Sequence, residues 1–195
     1  TGATSNASVY GGNGSDVITT TTVEGGRIRG DEGNDSITAT TLTDSFVNGN
    51  SGNDTINATV VTRGSLLAGE GTDVLTYTGA ANAFVNGNTG NDSITATLNQ
   101  ATTSVYGGNG ADTITFAGLT SNSILRGDSG ADNISNSGAI NSSSVNGNAG
   151  NDTIEMASGV ARTFTASTIF GGNGSDSISN TGALTLTNST IRADN

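Results

Sequence analysis

The chain lacks the residue types on which most catalytic and cross-linked sites depend. Its 195 residues include no cysteine, histidine, lysine, tryptophan or proline. Without cysteine there is no disulfide framework and no thiol nucleophile, and without histidine or lysine the usual acid–base groups are missing. A zinc or copper site would lack its preferred nitrogen and sulfur ligands. We therefore expect a protein that is not an enzyme.

Basic and apolar residues are also scarce. Six arginines stand against 17 acidic residues, so the net charge is −11 and the basic face that nucleic-acid binding requires is excluded. Hydrophobic residues make up 32% of the chain and aromatic residues 4%, too few for a thick core. No apolar run is long enough for membrane insertion. Composition alone would equally fit a disordered polar tract.

The chain does contain a strict repeat. The octet GGNGSDVI at 11–18 recurs eight more times in variant form, always with aspartate at its sixth place. The interval between successive aspartates is nearly constant over the first seven steps and longer only at the last. A fixed period near twenty indicates a solenoid, so we expect one ordered repeat array over residues 1–195. The motif aspartates are Asp16, Asp35, Asp54, Asp73, Asp92, Asp112, Asp132, Asp152 and Asp176.

Columns of similar side chains flank the motifs. Around Asp54, for example, the aliphatic Val47 lies seven residues before and Ile56 two residues after, and the small Ser45 lies nine before. Positions two apart share their character, which is typical of strands. Each coil is therefore predicted to be a strand, a glycine turn, a second strand and a looser polar return, within a flattened all-β roll of about ten coils. The longer last step predicts a small extrusion between Glu155 and Ala166.

An outward column of aromatic, arginine and asparagine residues lies six residues before each aspartate. Tyr10–Arg29 and Tyr106–Arg126 are candidates for cation–π stacking between neighbouring coils. An ordinary solvated surface is the alternative for this column.

The glycine turn exposes backbone carbonyls and one carboxylate together. Ca²⁺ takes six to eight oxygen ligands in flexible geometry, whereas Mg²⁺ demands a strict octahedron and is the weaker candidate. One turn cannot supply so many oxygens, but two successive turns can hold an ion between them, and nine turns form eight such gaps along one edge. The alternative is a metal-free turn in which aspartate bonds its own backbone, but this leaves carboxylates stacked ~4.8 Å apart without a counter-charge.

The octets resemble the nonapeptide G-G-x-G-x-D-x-U-x of the RTX, or hemolysin-type, calcium-binding repeats. The resemblance implies a right-handed parallel β-roll, export from a bacterium, folding on meeting external calcium, and a place in toxins, proteases, adhesins or S-layers. Carried onto this chain, it makes the nine motif aspartates calcium ligands through their carboxylates. It assigns turn geometry and carbonyl ligands to the flanking glycines Gly11, Gly14, Gly30, Gly33, Gly49, Gly52, Gly71, Gly87, Gly90, Gly107, Gly110, Gly127, Gly130, Gly147, Gly150, Gly171 and Gly174.

The period departs from the usual RTX pattern. RTX rolls usually repeat every nine residues and carry two calcium turns per coil, whereas here a polar return replaces one of them. We therefore expect calcium, about eight ions, on one edge only, and no assigned role for the other edge. Residues at the second motif place are either extra ligands or solvent-facing turn residues; these are Asp31, Asn50, Asn88, Asp128 and Asn148.

Two functions are compatible with these features. The first is a calcium-stabilised structural β-solenoid of a secreted or cell-surface bacterial assembly, such as a filament, S-layer or adhesin stalk. The alternative is a calcium-dependent ice-binding segment of an adhesin, because some similar rolls present threonine and Asn/Asp residues from the third and fifth turn places. Here those places include Glu32, Glu70, Ala111 and Ala131, which form a poor template for ice.

The chain starts at Thr1 and ends at Asn195, within what would be a tenth motif. Open strand edges at both ends would favour end-to-end stacking into a fibre, because such a contact does not close into a ring. The rival expectation is that the sequence is a window of a longer solenoid.

Overall fold

All regular structure in the computed structural model is β-strand across residues 4–98, 100–156 and 161–193, the part of the chain that the structure describes. Over the same ranges, no helix has the length and apolarity to span a membrane. In chain order the strands are β1 (Thr4–Ser5), β2 (Ser8–Asn13), β3 (Val17–Glu24), β4 (Arg27–Glu32), β5 (Ser36–Thr43), β6 (Phe46–Ser51), β7 (Thr55–Thr62), β8 (Ser65–Glu70), β9 (Val74–Ala81), β10 (Phe84–Thr89), β11 (Ser93–Ala96), β12 (Gln100–Ala101), β13 (Ser104–Asn109), β14 (Thr113–Phe116), β15 (Leu119–Thr120), β16 (Ile124–Ser129), β17 (Asn133–Asn136), β18 (Ile140–Asn141), β19 (Ser144–Ala149), β20 (Thr153–Met156), β21 (Arg162–Thr165), β22 (Thr168–Asn173), β23 (Ser177–Asn180), β24 (Leu184–Thr187) and β25 (Thr190–Arg192).

Each coil contributes to two parallel sheets. The leading sheet contains the ten strands that lead into the motif turns, namely β2, β4, β6, β8, β10, β13, β16, β19, β22 and β25. The trailing sheet contains the other 15 strands, all of which except β1 follow a motif turn. Strands pair with the equivalent strand one coil away, so that Val9 pairs with Ile28 and Ile28 pairs with Val47. The fold is an all-β parallel β-solenoid, which confirms the prediction and is consistent with a right-handed β-roll.

The predicted aliphatic columns form the core between the sheets. In the third coil, Val47 is 0% exposed and Ile56 is 1% exposed. The same columns are buried from Ile28 and Ile37 through to Ile154 and Ile169. Full burial of one such side chain contributes roughly 1.5–3 kcal/mol, and stacking joins these contributions into a thin, continuous core. This core explains how a chain with so few apolar residues is ordered.

The length of the coil decides the form of the trailing sheet. After the first four motif aspartates, where the coils are shortest, the strand runs unbroken for 8 residues, as in β3 and β9. In the longer coils it is split, as in β11 and β12, and β9 pairs with both. The additional residues are therefore accommodated in the trailing sheet and not in the motif turn.

The last and longest step between motifs is described in part. Strand β20 ends at Met156 and β21 resumes at Arg162, which lies within the sheet and is 8% exposed. An extrusion was predicted between Glu155 and Ala166, but residues 162–165 of this range form a strand. Residues 157–160 lie outside the described part of the chain.

The polar return is ordered, so the prediction of a looser segment was wrong. Ten residues before each motif aspartate, a residue with positive φ turns the chain, as at Asp44 (50°) and Arg63 (53°). The N–H of Asp44 donates to the carbonyl of Thr62 in the next coil at 3.0 Å. A left-handed conformation costs a residue with a β-carbon roughly 1–2 kcal/mol, which this repeated hydrogen bond helps to offset. The equivalent residues are Asn6, Gly25, Asn82, Thr102, Asn122, Ser142, Ala166 and Asn188.

The outward aromatic and arginine column is confirmed in one of its two predicted pairs. The Arg126 guanidinium carbon lies 5.4 Å from the centroid of the Tyr106 ring. Tyr10 and Arg29 are in register, but the other cation–π contact among the described residues is between Arg27 and Phe46. Such exposed contacts contribute about 0.5–1 kcal/mol each, so they play a minor part in stability.

Candidate calcium site

Two left-handed positions shape every motif turn. The fourth place is always glycine and always has positive φ, as in Gly33 (122°) and Gly90 (129°). The second place also has positive φ, for example 78° at Asn50, and is occupied by glycine, asparagine or aspartate, the residues that best tolerate this region. The side chains at this place also bond to one another, since Asn50 Nδ2 donates to Asp31 Oδ1 at 3.0 Å. A turn-forming role therefore accounts for the second-place residues without a ligand role.

The motif aspartates form a ladder of hydrogen bonds along one edge. In each of the eight steps, one carboxylate oxygen, Oδ1, accepts the backbone N–H of the motif aspartate in the preceding coil, at 2.6–2.9 Å. The bond thus joins neighbouring coils and is not made to the aspartate's own backbone. It fixes each carboxylate in the interior of its turn, where Asp54 and Asp112 are each only 1% exposed.

The other carboxylate oxygen has no partner. Oδ2 of all nine motif aspartates is buried and accepts no hydrogen bond from any described residue. Burying an ionised carboxylate is costly unless it is paired, so this oxygen requires either a proton or a cation. A row of nine such oxygens along one edge is the most unusual polar feature of the molecule.

A backbone carbonyl from the next coil shares the space beside each Oδ2. A β-carbon built on Gly30, at the first motif place, would overlap Asp35 Oδ2 of its own coil and lie 2.7 Å from the carbonyl oxygen of Gly49 in the next coil. The same two kinds of oxygen converge at Gly11, Gly49, Gly87, Gly107, Gly127 and Gly147. The absence of a side chain at the first place keeps this space between successive turns open.

Burial also changes the acidity of the row. The pKa of Asp112 is raised to about 7, mainly because burial removes the carboxylate from water. The hydrogen bond from the Asp92 backbone N–H lowers this pKa, but by less than burial raises it, and the neighbouring carboxylates of Asp132 and Asp92 add to the rise. For the same main reason the pKa values of Asp54, Asp73 and Asp132 are raised to about 6. The pKa values of Asp92 and Asp152 are raised as well. These six carboxylates are thus poorly stabilised as anions by the protein alone.

The donor set fits a hard divalent cation. Among the described residues, no three His, Cys, Asp or Glu side chains lie close enough together to hold a metal ion by themselves. An ion in this row must therefore combine carboxylate oxygens with backbone carbonyls, which is the ligand chemistry of Ca²⁺. The unpartnered Oδ2 atoms and the open space beside them meet this requirement.

The opposite edge has a neutral counterpart of the aspartate ladder, which the sequence had not indicated. In the later coils, the small residue nine before each motif aspartate is Thr or Ser, and its N–H donates to the hydroxyl of the equivalent residue one coil on, at 3.1–3.3 Å. These hydroxyls donate in turn to nearby carbonyls, as Ser167 Oγ does to Ile140 at 3.0 Å. Among the described residues of this ladder, neutral hydroxyls thus take the place that the carboxylates have on the motif edge. The ladder runs through Thr103, Ser123, Ser143, Ser167 and Ser189.

The motif is also recognised by comparison with known families. A family model described as the RTX calcium-binding nonapeptide repeat (4 copies) matches residues 1–21, 25–41, 42–59, 77–97, 142–159 and 166–180, which together exceed half of the chain. No curated protein gives a significant match. The motifs of Asp73, Asp112 and Asp132 lie outside the matched ranges but continue the same hydrogen-bond ladder. The chain therefore belongs to the RTX calcium-binding repeat family.

Proposed function

We propose that this chain is a structural β-solenoid held together by a row of calcium ions between successive motif turns. The observation that carries the proposal is the row of nine buried Oδ2 atoms without partners. Each ion would take carboxylate oxygens from the motif aspartates and carbonyl oxygens from the flanking glycines. Nine turns provide eight gaps, and the row would follow the motif edge only.

Calcium would decide whether the chain folds. Ordering the backbone costs about 1–2 kcal/mol per residue, against which this chain has only a thin core. An ion that binds the folded roll and not the unfolded chain adds RT ln(1 + [L]/Kd), and several ions in one row add together. Because each coil contacts only its neighbours, loss of one ion weakens the adjacent gaps. Folding should therefore respond steeply to calcium.

A secreted or cell-surface location and a structural role follow from the same chemistry. Extracellular calcium modules typically bind with Kd values of about 10⁻⁴–10⁻³ M, so the roll would be ordered outside a cell and not within it. A chain with no His, Cys or Lys offers few groups for catalysis. We propose a stalk, filament or surface-layer component that gains its rigidity from calcium.

A calcium titration followed by far-UV circular dichroism at pH 7.5 tests the proposal. We expect little β-sheet signal in EGTA and a cooperative gain on adding Ca²⁺, with ion binding measured in parallel by calorimetry. The same concentration of Mg²⁺ is the control and should restore the signal weakly or not at all. A spectrum that is the same in EGTA and in calcium, with no heat of binding, would refute the proposal.

A second candidate function, ice binding, is favoured by one feature of the trailing sheet. Threonines occupy two outward columns, three and five residues after the motif aspartates, over the first five coils. Thr38 pairs with Thr19, and Thr76 pairs with Thr95, so hydroxyls and methyls repeat about every 4.8 Å between coils. The columns contain Thr19, Thr38, Thr76 and Thr95, with Asn57 interrupting, and Thr21, Thr40, Thr59, Thr78 and Thr97.

This threonine surface carries no charged residue, unlike the motif edge with its exposed Glu32 and Glu70. In the first of these strands Ile18, Thr20 and Val23 are the inward positions, so Thr19 and Thr21 face outward. A thermal-hysteresis assay in calcium decides the matter. Thermal hysteresis in the native chain that disappears in Thr40→Lys would favour ice binding. If the native chain shows no hysteresis, ice binding is excluded and the structural role is the one that remains.

A further inference from the structure

One coil differs from the rest at the point where an ion would bind. The first motif place is glycine in eight of the nine motifs and alanine, Ala68, in the fourth. Ala68 is fully buried. It belongs to the same turn as Asp73, whose Oδ2 is buried and without a partner like the other eight.

Ala68 places a methyl group at the motif position where the other eight motifs have no β-carbon. Strand β8 is in register with β6 and β10, so Ala68 is aligned with Gly49 and Gly87. At both glycines, a β-carbon would overlap the carboxylate of its own coil and the carbonyl oxygen of the next. From this alignment we infer that the Ala68 β-carbon is directed toward Asp73 Oδ2 and the Gly87 carbonyl, the two oxygens that would hold the fourth ion.

The surrounding backbone differs at the same turn. The residue after Ala68 is Gly69, whose φ of 127° exceeds the 102–116° of the other three second-place glycines. The ladder is nevertheless intact here, because Asp54 N–H donates to Asp73 Oδ1 at 2.6 Å and Asp73 N–H donates to Asp92 Oδ1 at 2.9 Å. The coils therefore remain stacked, and only the space beside Oδ2 is changed.

We infer that the gap between the turns of Asp73 and Asp92 excludes calcium, so that the ion row is interrupted at Ala68. The inference rests on the proposed function, since it concerns the same row of sites. It divides the row into a block of three gaps before Ala68 and a block of four after it. The interruption coincides with the change in the trailing sheet, because β9 in this coil is the last unbroken strand.

The interruption has a consequence for folding. Ions in neighbouring gaps support each other through the turn that they share. An empty gap breaks this coupling. The three gaps before Ala68 and the four gaps after it would therefore bind calcium as two partly independent units. Restoring glycine at residue 68 would join them.

The inference is tested by counting bound calcium in Ala68→Gly. Equilibrium dialysis against ⁴⁵Ca²⁺ at saturation should give one more ion per chain for this variant than for the native protein, and a steeper calcium titration by circular dichroism. Gly87→Ala, which puts a methyl group into the next gap, should bind one ion fewer than the native chain. Ala81→Gly, at the far end of β9 in the same coil, is the matched control and should leave the count unchanged.

The outcomes separate this inference from the proposed function. If the native chain binds calcium and Ala68→Gly binds the same number of ions with the same steepness, the interruption is refuted and the calcium roll stands. If the native chain binds no calcium, both fail. Should Ala68→Gly not fold, anomalous diffraction from native crystals grown in calcium decides instead: density in seven gaps with none beside Ala68 supports the inference, and density in all eight overturns it.

Discussion

Without calcium, this chain should be more stable in mild acid than at neutral pH. The perturbation is complete removal of calcium with EGTA, followed by transfer into calcium-free buffers from pH 4.5 to 7.5. The pKa values of the buried Asp54, Asp73 and Asp132 are raised from 3.8 to about 6, and that of Asp112 to about 7. In the unfolded chain these groups return to their ordinary value, so the folded state binds more protons in this pH range.

The sign and size of the effect follow from this difference. A carboxyl whose folded pKa lies above its unfolded pKa loses its contribution to stability as the pH rises through the folded value. A rise of two pKa units corresponds to about 3 kcal/mol for one group, and because neighbouring carboxylates share part of this cost, the four together cost between about 3 and 10 kcal/mol at pH 7.5. That is comparable with the whole stability of a typical domain, about 5–15 kcal/mol. The calcium-free roll should therefore unfold between about pH 5 and 7.5.

Denaturation followed by far-UV circular dichroism at each pH measures this effect. The Asp112→Asn variant removes the charge but keeps the shape, so it should keep the calcium-free chain folded to a higher pH than the native chain while weakening calcium binding. Asp44→Asn is the control, because Asp44 is exposed and its pKa is lowered by a hydrogen bond from Arg63. A calcium-free chain that is as stable at pH 7.5 as at pH 4.5 would refute the reasoning.

Three further predictions concern the row and the roll. Asp132→Ala should raise the calcium midpoint of folding more than Asp16→Ala, because Asp132 borders two gaps on the same side of Ala68 and Asp16 borders one; equal shifts in a circular-dichroism titration would mean that each turn binds its ion alone. Gly107→Ala should also raise that midpoint, because its β-carbon would overlap Asp112 Oδ2, whereas Gly79→Ala meets only Leu98 Cβ at 3.9 Å and should not. Electron microscopy of the chain in calcium should show fibres with an axial repeat near ~50 Å if ends stack, and monodisperse particles would exclude stacking.

The sequence predicted the features that recur in every coil, because the stacking of similar coils requires the same residue type at the same position. Val47 and Ile56 recur in equivalent positions because each coil packs on a copy of itself, so a period in the sequence becomes a column in the core. The same reasoning identified the motif aspartates as one edge of the roll. A fixed residue type at a fixed interval carries enough information for both conclusions.

The remaining features depend on backbone geometry that no residue type marks. The turn ten residues before each motif aspartate has unrelated residues, such as Asp44 and Arg63, at its left-handed position. This is possible because a backbone hydrogen bond, and not a side chain, holds the turn. The bond from one aspartate's N–H to the next aspartate's Oδ1 depends on side-chain direction, which the interval between motifs does not reveal. The single substitution at Ala68 was visible in the sequence, but its meaning depended on the position of Asp73 Oδ2.

The central claim is that calcium occupies the motif edge, between successive turns. Crystals grown in calcium and measured at a long wavelength give the most direct test, because anomalous difference density locates each ion. We predict a single row of peaks, each between the carboxylates of neighbouring motif aspartates and the carbonyl of a first-place residue, and no peaks along the hydroxyl ladder on the opposite edge. A folded roll without density along the aspartate row, or with ions bound elsewhere, would contradict the account.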